Sequence, residues 1–79
     1  MRVRVRLFSH LVRWAPSEAA AEGGILDLPE GATIRVALAG LGMPTSTPRV
    51  VTVNDTNSDE GHVLHDGDSL KVFPLAMGG

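Results

Sequence analysis

Cysteine is absent from the chain. That excludes a disulfide framework, a thiolate metal site, an iron–sulfur cluster and a cysteine nucleophile supplied by this protein. No block of like charges occurs and the net charge is only −2, so nothing argues for a nucleic-acid or membrane surface. No stretch approaches transmembrane length, and Met1-Arg2-Val3-Arg4-Val5-Arg6 lacks the continuous apolar core of a signal peptide. The expectation is a cytoplasmic protein. Glycine-rich stretches are not followed by Lys-Ser or Lys-Thr, so there is no phosphate-binding loop.

The polar motifs that do occur fail as chemical sites. Asp55-Thr56-Asn57-Ser58-Asp59 starts like a calcium loop. It has Glu60 where such a loop needs glycine and Asp66 where it needs a bidentate glutamate, so it reads as a polar loop. His62 and His65 have no cysteine or third histidine nearby to complete a metal site, and surface histidines are expected. Asn54-Asp55-Thr56 matches a glycosylation sequon, which is idle without secretion. Ser9, Ser17 and Ser69 have no spacing to His and Asp that supports a triad. Trp14 reads as a packing residue. No catalytic or metal residue is assigned, and the protein is not expected to be an enzyme in its own right.

What the chain does have is a periodicity that changes once. Seventy-nine residues make one domain, which buries only ~60% of its unfolded surface. Val3, Val5 and Leu7 alternate with Arg2, Arg4 and Arg6, the pattern of a half-buried strand. One helical turn over Ser9–Trp14, capped by Ser9 and ended by Pro16, leads to a loop over 19–24 and a short strand at Ile25–Leu28. Ile34, Ala37, Leu38 and Leu41 then form one helical face, with Thr33 as N-cap, Gly42 just past the end and Pro44 beyond. Val50–Val53 is a third strand, Asn54–Gly61 a polar turn-rich stretch, Val63-Leu64 a brief apolar step, His65–Asp68 a turn, and Ser69–Pro74 the last strand.

Strands around a single helix predict an α+β layer, with the helix on one face of a small mixed sheet. The β-grasp is the economical solution. Val3, Val5, Leu7, Ile34, Leu38, Leu41, Val51, Val53, Leu70 and Val72 should form the core. Residues 1–74 would be the β-grasp domain and 75–79 a flexible C-terminal tail. The tail ends in Met77-Gly78-Gly79, slim enough to thread a narrow channel because glycine has no Cβ.

With the elements in this order, the sequence resembles the ubiquitin-like sulfur carriers of the MoaD/ThiS family. Val53-Asn54, His65-Asp66-Gly67-Asp68-Ser69-Leu70, Phe73-Pro74 and Gly78-Gly79 are similar to the family's strand end, turn, last strand and terminus. Leu7-Phe8-Ser9-His10-Leu11-Val12-Arg13 is similar to the segment after its first strand. The closest resemblance is to the small subunit of molybdopterin synthase. Met77 replaces a small residue and Leu75 follows Pro74 where a second proline is frequent. The stretches 17–24 and 43–49 are also particular to this chain.

The resemblance implies that an adenylyltransferase of the ubiquitin-activating type (MoeB/ThiF-like) uses Mg-ATP to convert the Gly79 carboxylate into an acyl-adenylate. Sulfur from a donor then displaces AMP to give a thiocarboxylate. ATP and Mg would belong to the partner, with no cofactor bound stably here, and a MoaE-like large subunit would be a further partner. From Leu75 to Gly79 an extended tail would reach ~17 Å, with Gly78 and Met77 threading the partner. Phe73, Leu75, Arg4 and Arg6 are candidate docking residues, since aromatics and arginines are enriched at interface cores. The alternatives are a modifier joined to lysines by isopeptide bonds, a carrier for thiamine, cysteine, tRNA thiolation or a secondary metabolite, and a binding module with an inert tail. Lys71, the only lysine, disfavours branching chains.

Overall fold

The computed structural model describes residues 1–15 and 24–75. Five strands, β1 (Arg2–Leu7), β2 (Gly24–Asp27), β3 (Arg49–Val53), β4 (Thr56–Ser58) and β5 (Ser69–Pro74), form one mixed sheet in the order β2-β1-β5-β3-β4. β1 and β5 run parallel at its centre, and every other pair is antiparallel. A 3₁₀ helix, Ser9–Trp14, follows β1, and α1 (Ile34–Gly40) connects β2 to β3. This is the expected mixed sheet with one helix.

The alternation in β1 puts Val3, Val5 and Leu7 in the core and the arginines outside. Register then propagates that division: Val5 and Leu7 lie level with Leu70 and Val72, which lie level with Val53 and Val51. Ile34, Ala37 and Leu38 of α1 close over this apolar face. Nine of the ten expected core residues are buried, and Leu41 packs against the cluster from its margin. Leu11, Met43 and Leu64 join it from segments whose short lengths carry no periodicity.

The helix ends are satisfied group by group. Thr33 accepts from the Val36 N–H through Oγ1 at 3.3 Å. The N–H groups of Ile34 and Arg35 donate to the carbonyls of His62 and Glu60, so the orphan donors of the first turn are taken up by a neighbouring segment. At the other end Gly42 has φ +85°. Its N–H donates to the Ala39 carbonyl while Met43 N–H donates to that of Leu38, the paired bonds of a Schellman turn. Met43 is buried beside Leu38 as that motif favours.

Two local expectations are corrected. Ser9 is not a cap: it has φ +55° inside the 3₁₀ helix, and Phe8 occupies the capping position without a side-chain bond. Within Asn54–Gly61, β4 pairs with β3 through a two-residue hairpin. Asn54 and Asp55 have φ +52° and +68°, the left-handed pair a type I′ turn requires. The strand is legible only through those two residues, because Thr56-Asn57-Ser58 has no apolar alternation.

Two polar clusters lock the sheet's margins. Arg49, whose side chain is almost wholly buried, donates from Nε and Nη2 to the two Glu60 oxygens at 2.7 and 2.6 Å, and from Nη1 to the Pro44 carbonyl at 2.7 Å. The hydrogen bond to Arg49 holds the Glu60 carboxyl below its usual range against the opposing effect of burial, and that to Glu60 pushes the Arg49 guanidinium further up. Asp68 accepts from His65 N–H at 2.8 Å and from the Asn54 amide at 3.0 Å, while Asn54 Oδ1 accepts from Ser69 N–H. Burial pushes the Asp68 carboxyl up, but these bonds and the charges of His65 and His62 outweigh it and leave it lowered.

Leu38→Ala should destabilise the domain by ~2–5 kcal/mol in chemical denaturation, because it opens a cavity under the sheet. Acid should also destabilise it. Lowered carboxyls contribute stability that is complete above the ordinary carboxylate range, ~4, and is lost as pH falls through the lowered values. Melting temperatures measured from pH 7 to pH 3 should fall, and fall less steeply in Asp68→Ala, which should itself cost about 1–3 kcal/mol at neutral pH.

Candidate functional site

β5 is flanked on both sides, so its side chains have only two directions to point. Leu70 and Val72 take the core; Lys71 and Phe73 take the open face. Pro74 ends the strand level with Arg49, and Leu75 N–H donates to the Pro48 carbonyl before the chain leaves the sheet. Leu75 is 47% exposed. Met77, Gly78 and Gly79, with Ala76, lie outside the described residues. The candidate site is therefore the sheet surface around the end of β5.

Phe8 was not expected there. Its N–H donates to the Val72 carbonyl at 3.1 Å, which carries the β1–β5 pairing one residue past Leu7 and sets Phe8 beside Phe73. The rings stack with centroids 4.4 Å apart and planes 14° from parallel, an aromatic arrangement worth ~0.5–1.5 kcal/mol beyond area burial. The signal was present: Arg2, Arg4 and Arg6 alternate outward, and the next step of that period is Phe8. Val50 lies level with Phe73 on the other side and is 37% exposed. Phe8, Phe73, Val50 and Leu75 thus give the end of β5 an apolar margin.

Behind that margin stand cations. Arg6 lies level with Lys71, and its guanidinium carbon is 4.8 Å from the centre of the Phe8 ring, within cation–π range. Arg4 lies level with Ser69 on one side and Ile25 on the other. Arg2 pairs with Asp27 at 3.2 Å and Lys71 with Asp55 at 2.7 Å, whereas Arg4 and Arg6 make no ion pair among the described residues. The expected docking residues Phe73, Arg4 and Arg6 consequently share one face, and Leu75 follows at its edge.

Among the described residues there is no cavity and no group of side chains placed to hold a metal ion. His62 and His65 are both exposed. No helix of the described residues is long and apolar enough to cross a membrane.

This architecture is shared with proteins of known structure. Small archaeal modifier protein 1 (SAMP1) from Haloferax volcanii superposes with a TM-score of 0.75 at 24% identity, over 100% of both chains. A putative molybdopterin converting factor subunit 1 from Pyrococcus furiosus gives 0.73 at 23% identity, over 94% of this chain and 97% of that one. In a complex of subunits 1 and 2 of the molybdopterin-converting factor from Helicobacter pylori, the similar chain gives 0.64 at 21% identity over 100% of both chains. These similarities establish the ubiquitin-like β-grasp. No curated protein sequence matches significantly. A family model described as Mut7-C ubiquitin matches residues 1–77, and the chain belongs to that ubiquitin-like family.

Proposed function

We propose that this protein is a sulfur carrier whose reactive group is the Gly79 carboxylate. The observation that carries the reading is the Gly78-Gly79 pair in the sequence, three and four residues after Leu75, together with a central strand that ends at Pro74. The fold shared with proteins named as molybdopterin converting factor subunit 1 supports it.

A free carboxylate is a poor electrophile. In the proposed reaction a partner adenylyltransferase uses Mg-ATP to form the acyl-adenylate at Gly79, releasing pyrophosphate. A sulfur nucleophile delivered by a donor then attacks the glycyl carbonyl, AMP leaves, and a thiocarboxylate remains. This protein supplies the slim tail and the surface beside it; the partners supply the catalysis, the ATP and the metal. The sulfur acceptor we favour is the molybdopterin precursor, with a large subunit as partner, as in the complex of subunits 1 and 2 from Helicobacter pylori.

A second reading, a protein modifier, is favoured by the match to small archaeal modifier protein 1. The same activated carboxylate would then be attacked by a lysine amine. Lys71, the sole lysine, disfavours branching chains built from copies of this protein.

Incubation with the cognate adenylyltransferase, Mg-ATP and a sulfur donor should raise the intact mass by ~16 Da, one oxygen exchanged for sulfur. Deleting Gly79 should abolish the gain without changing the melting temperature, because a tail outside the core adds little to it. Gly78→Val should block it too, since a branched side chain stiffens the backbone and needs room in the channel. Isopeptide linkage to lysines of other proteins, with no sulfur gain, would replace the carrier reading with the modifier one.

A further inference from the structure

The apolar core ends before the sheet does. Its last row pairs Val51 of β3 with Val72 of β5, both buried. The two rows beyond, Val50 with Phe73 and Arg49 with Pro74, add no apolar side chain to the core cluster. β1 gives no support at the last row, because Leu7 lies level with Val72 and the chain turns at Ser9 with φ +55°. Hydrogen bonds are scarce there as well. Pro48 and Pro74 have no N–H to donate, and the Leu75 N–H reaches the Pro48 carbonyl only at 3.4 Å. The connection before β3 offers no packing, since Pro44, Thr45, Ser46 and Pro48 are exposed. What holds this corner of the sheet is the Arg49 side chain, only 4% exposed.

Its guanidinium joins separate segments. Nε and Nη2 donate to both oxygens of Glu60, a planar bidentate fit that leaves little freedom. Nη1 donates to the Pro44 carbonyl, just past the Schellman turn. That carbonyl also accepts from Thr47 N–H, and the Glu60 carbonyl accepts from Arg35 N–H in the first turn of α1. Arg49 is thus tied to both ends of α1 while its own backbone flanks Pro74. Resting on the carrier reading, we infer that Arg49 and Glu60 are positioning residues. Their pair fixes the end of β5, and with it the point from which Gly79 is presented to a partner. Gly79 lies four residues past Leu75, at most ~14 Å when extended, so any freedom gained at Leu75 adds to that of the carboxylate. A misplacement of about 1 Å is enough to slow a reaction between bound groups. Stability alone does not require such a pair, because apolar residues of similar volume often serve as well. What the pair adds is a fixed geometry.

Two measurements on the full chain test the inference: backbone nitrogen relaxation by NMR, and hydroxamate formation with the adenylyltransferase, Mg-ATP and neutral hydroxylamine. In wild type the Leu75 amide should be as rigid as the sheet, with an order parameter of about 0.85. Arg49→Lys keeps the charge but loses the fork, and should lower that value to about 0.6. The apolar double variant Arg49→Met/Glu60→Leu should do the same while its melting temperature stays close to wild type. Both should lower kcat for hydroxamate formation ~5-fold with KM within about twofold, the mark of lost positioning and not of lost binding. Asp68→Ala weakens the opposite end of β5, so it should lower the melting temperature yet leave the Leu75 order parameter and kcat unchanged. The inference is overturned if Leu75 is already mobile in wild type, if it stays rigid in both Arg49 variants, or if Asp68→Ala loosens it equally. A loosened Leu75 with unchanged kcat would also overturn the positioning role. If wild type forms no hydroxamate, the carrier reading falls, and the relaxation data alone uphold or overturn the hold of Arg49 and Glu60 on the end of β5.

Discussion

Everything described above hangs on the parallel pairing of β1 with β5. It joins the two ends of the described chain, placing the first strand against the last at the centre of the sheet. Such a pairing closes nearly the whole sequence into one loop, which carries the largest closure entropy of any contact here. It is held because both strands bury their inward residues completely: Val3, Val5 and Leu7 on one, Leu70 and Val72 on the other. Since the side-chain period is two, that burial fixes the register, and a slip by one residue would drive arginines into the core. The same register decides what stands outside. Arg4 faces Ser69, Arg6 faces Lys71, and Phe8 meets Phe73. The chemical face is therefore a by-product of the core.

Around that centre, the polar contacts work as stops. The Asp68 and Asn54 network ties the start of β5 to the end of β3, and the Arg49–Glu60 pair ties the start of β3 to the segment that receives the first turn of α1. Pro74 then ends the central strand, and the chain leaves the sheet at Leu75 next to the aromatic pair.

Much of this was legible in the sequence because burial writes a period. The alternation of Val3, Val5 and Leu7, the face of Ile34, Ala37, Leu38 and Leu41, the Thr33 cap and the Gly42 end each follow from residues a few positions apart. Where a feature depends on a residue far away in sequence, it was not readable. The Phe8–Phe73 stack requires knowing which strand lies beside β1. The pairing of Lys71 with Asp55, which strips that face of one cation, depends on the β3–β4 hairpin. That hairpin was itself hidden, since β4 is a polar edge strand with no buried stripe. Ser9 looked like a cap by type, but its position immediately after a paired Phe8 forces the chain to turn at that residue. The diglycine end was legible as sequence and lies outside the described residues, so its chemistry rests on experiment.

The most direct measurement is capture of the activated end itself, independent of any sulfur donor or acceptor. The protein is incubated with the adenylyltransferase, Mg-ATP and neutral hydroxylamine, and the product is fragmented in a mass spectrometer. An acyl-adenylate yields a hydroxamate, a gain of ~15 Da by nucleophilic displacement. The account predicts that this gain is ATP-dependent and confined to Gly79. No gain with any activating enzyme of the organism, or a gain placed on an aspartate or glutamate side chain, would contradict it.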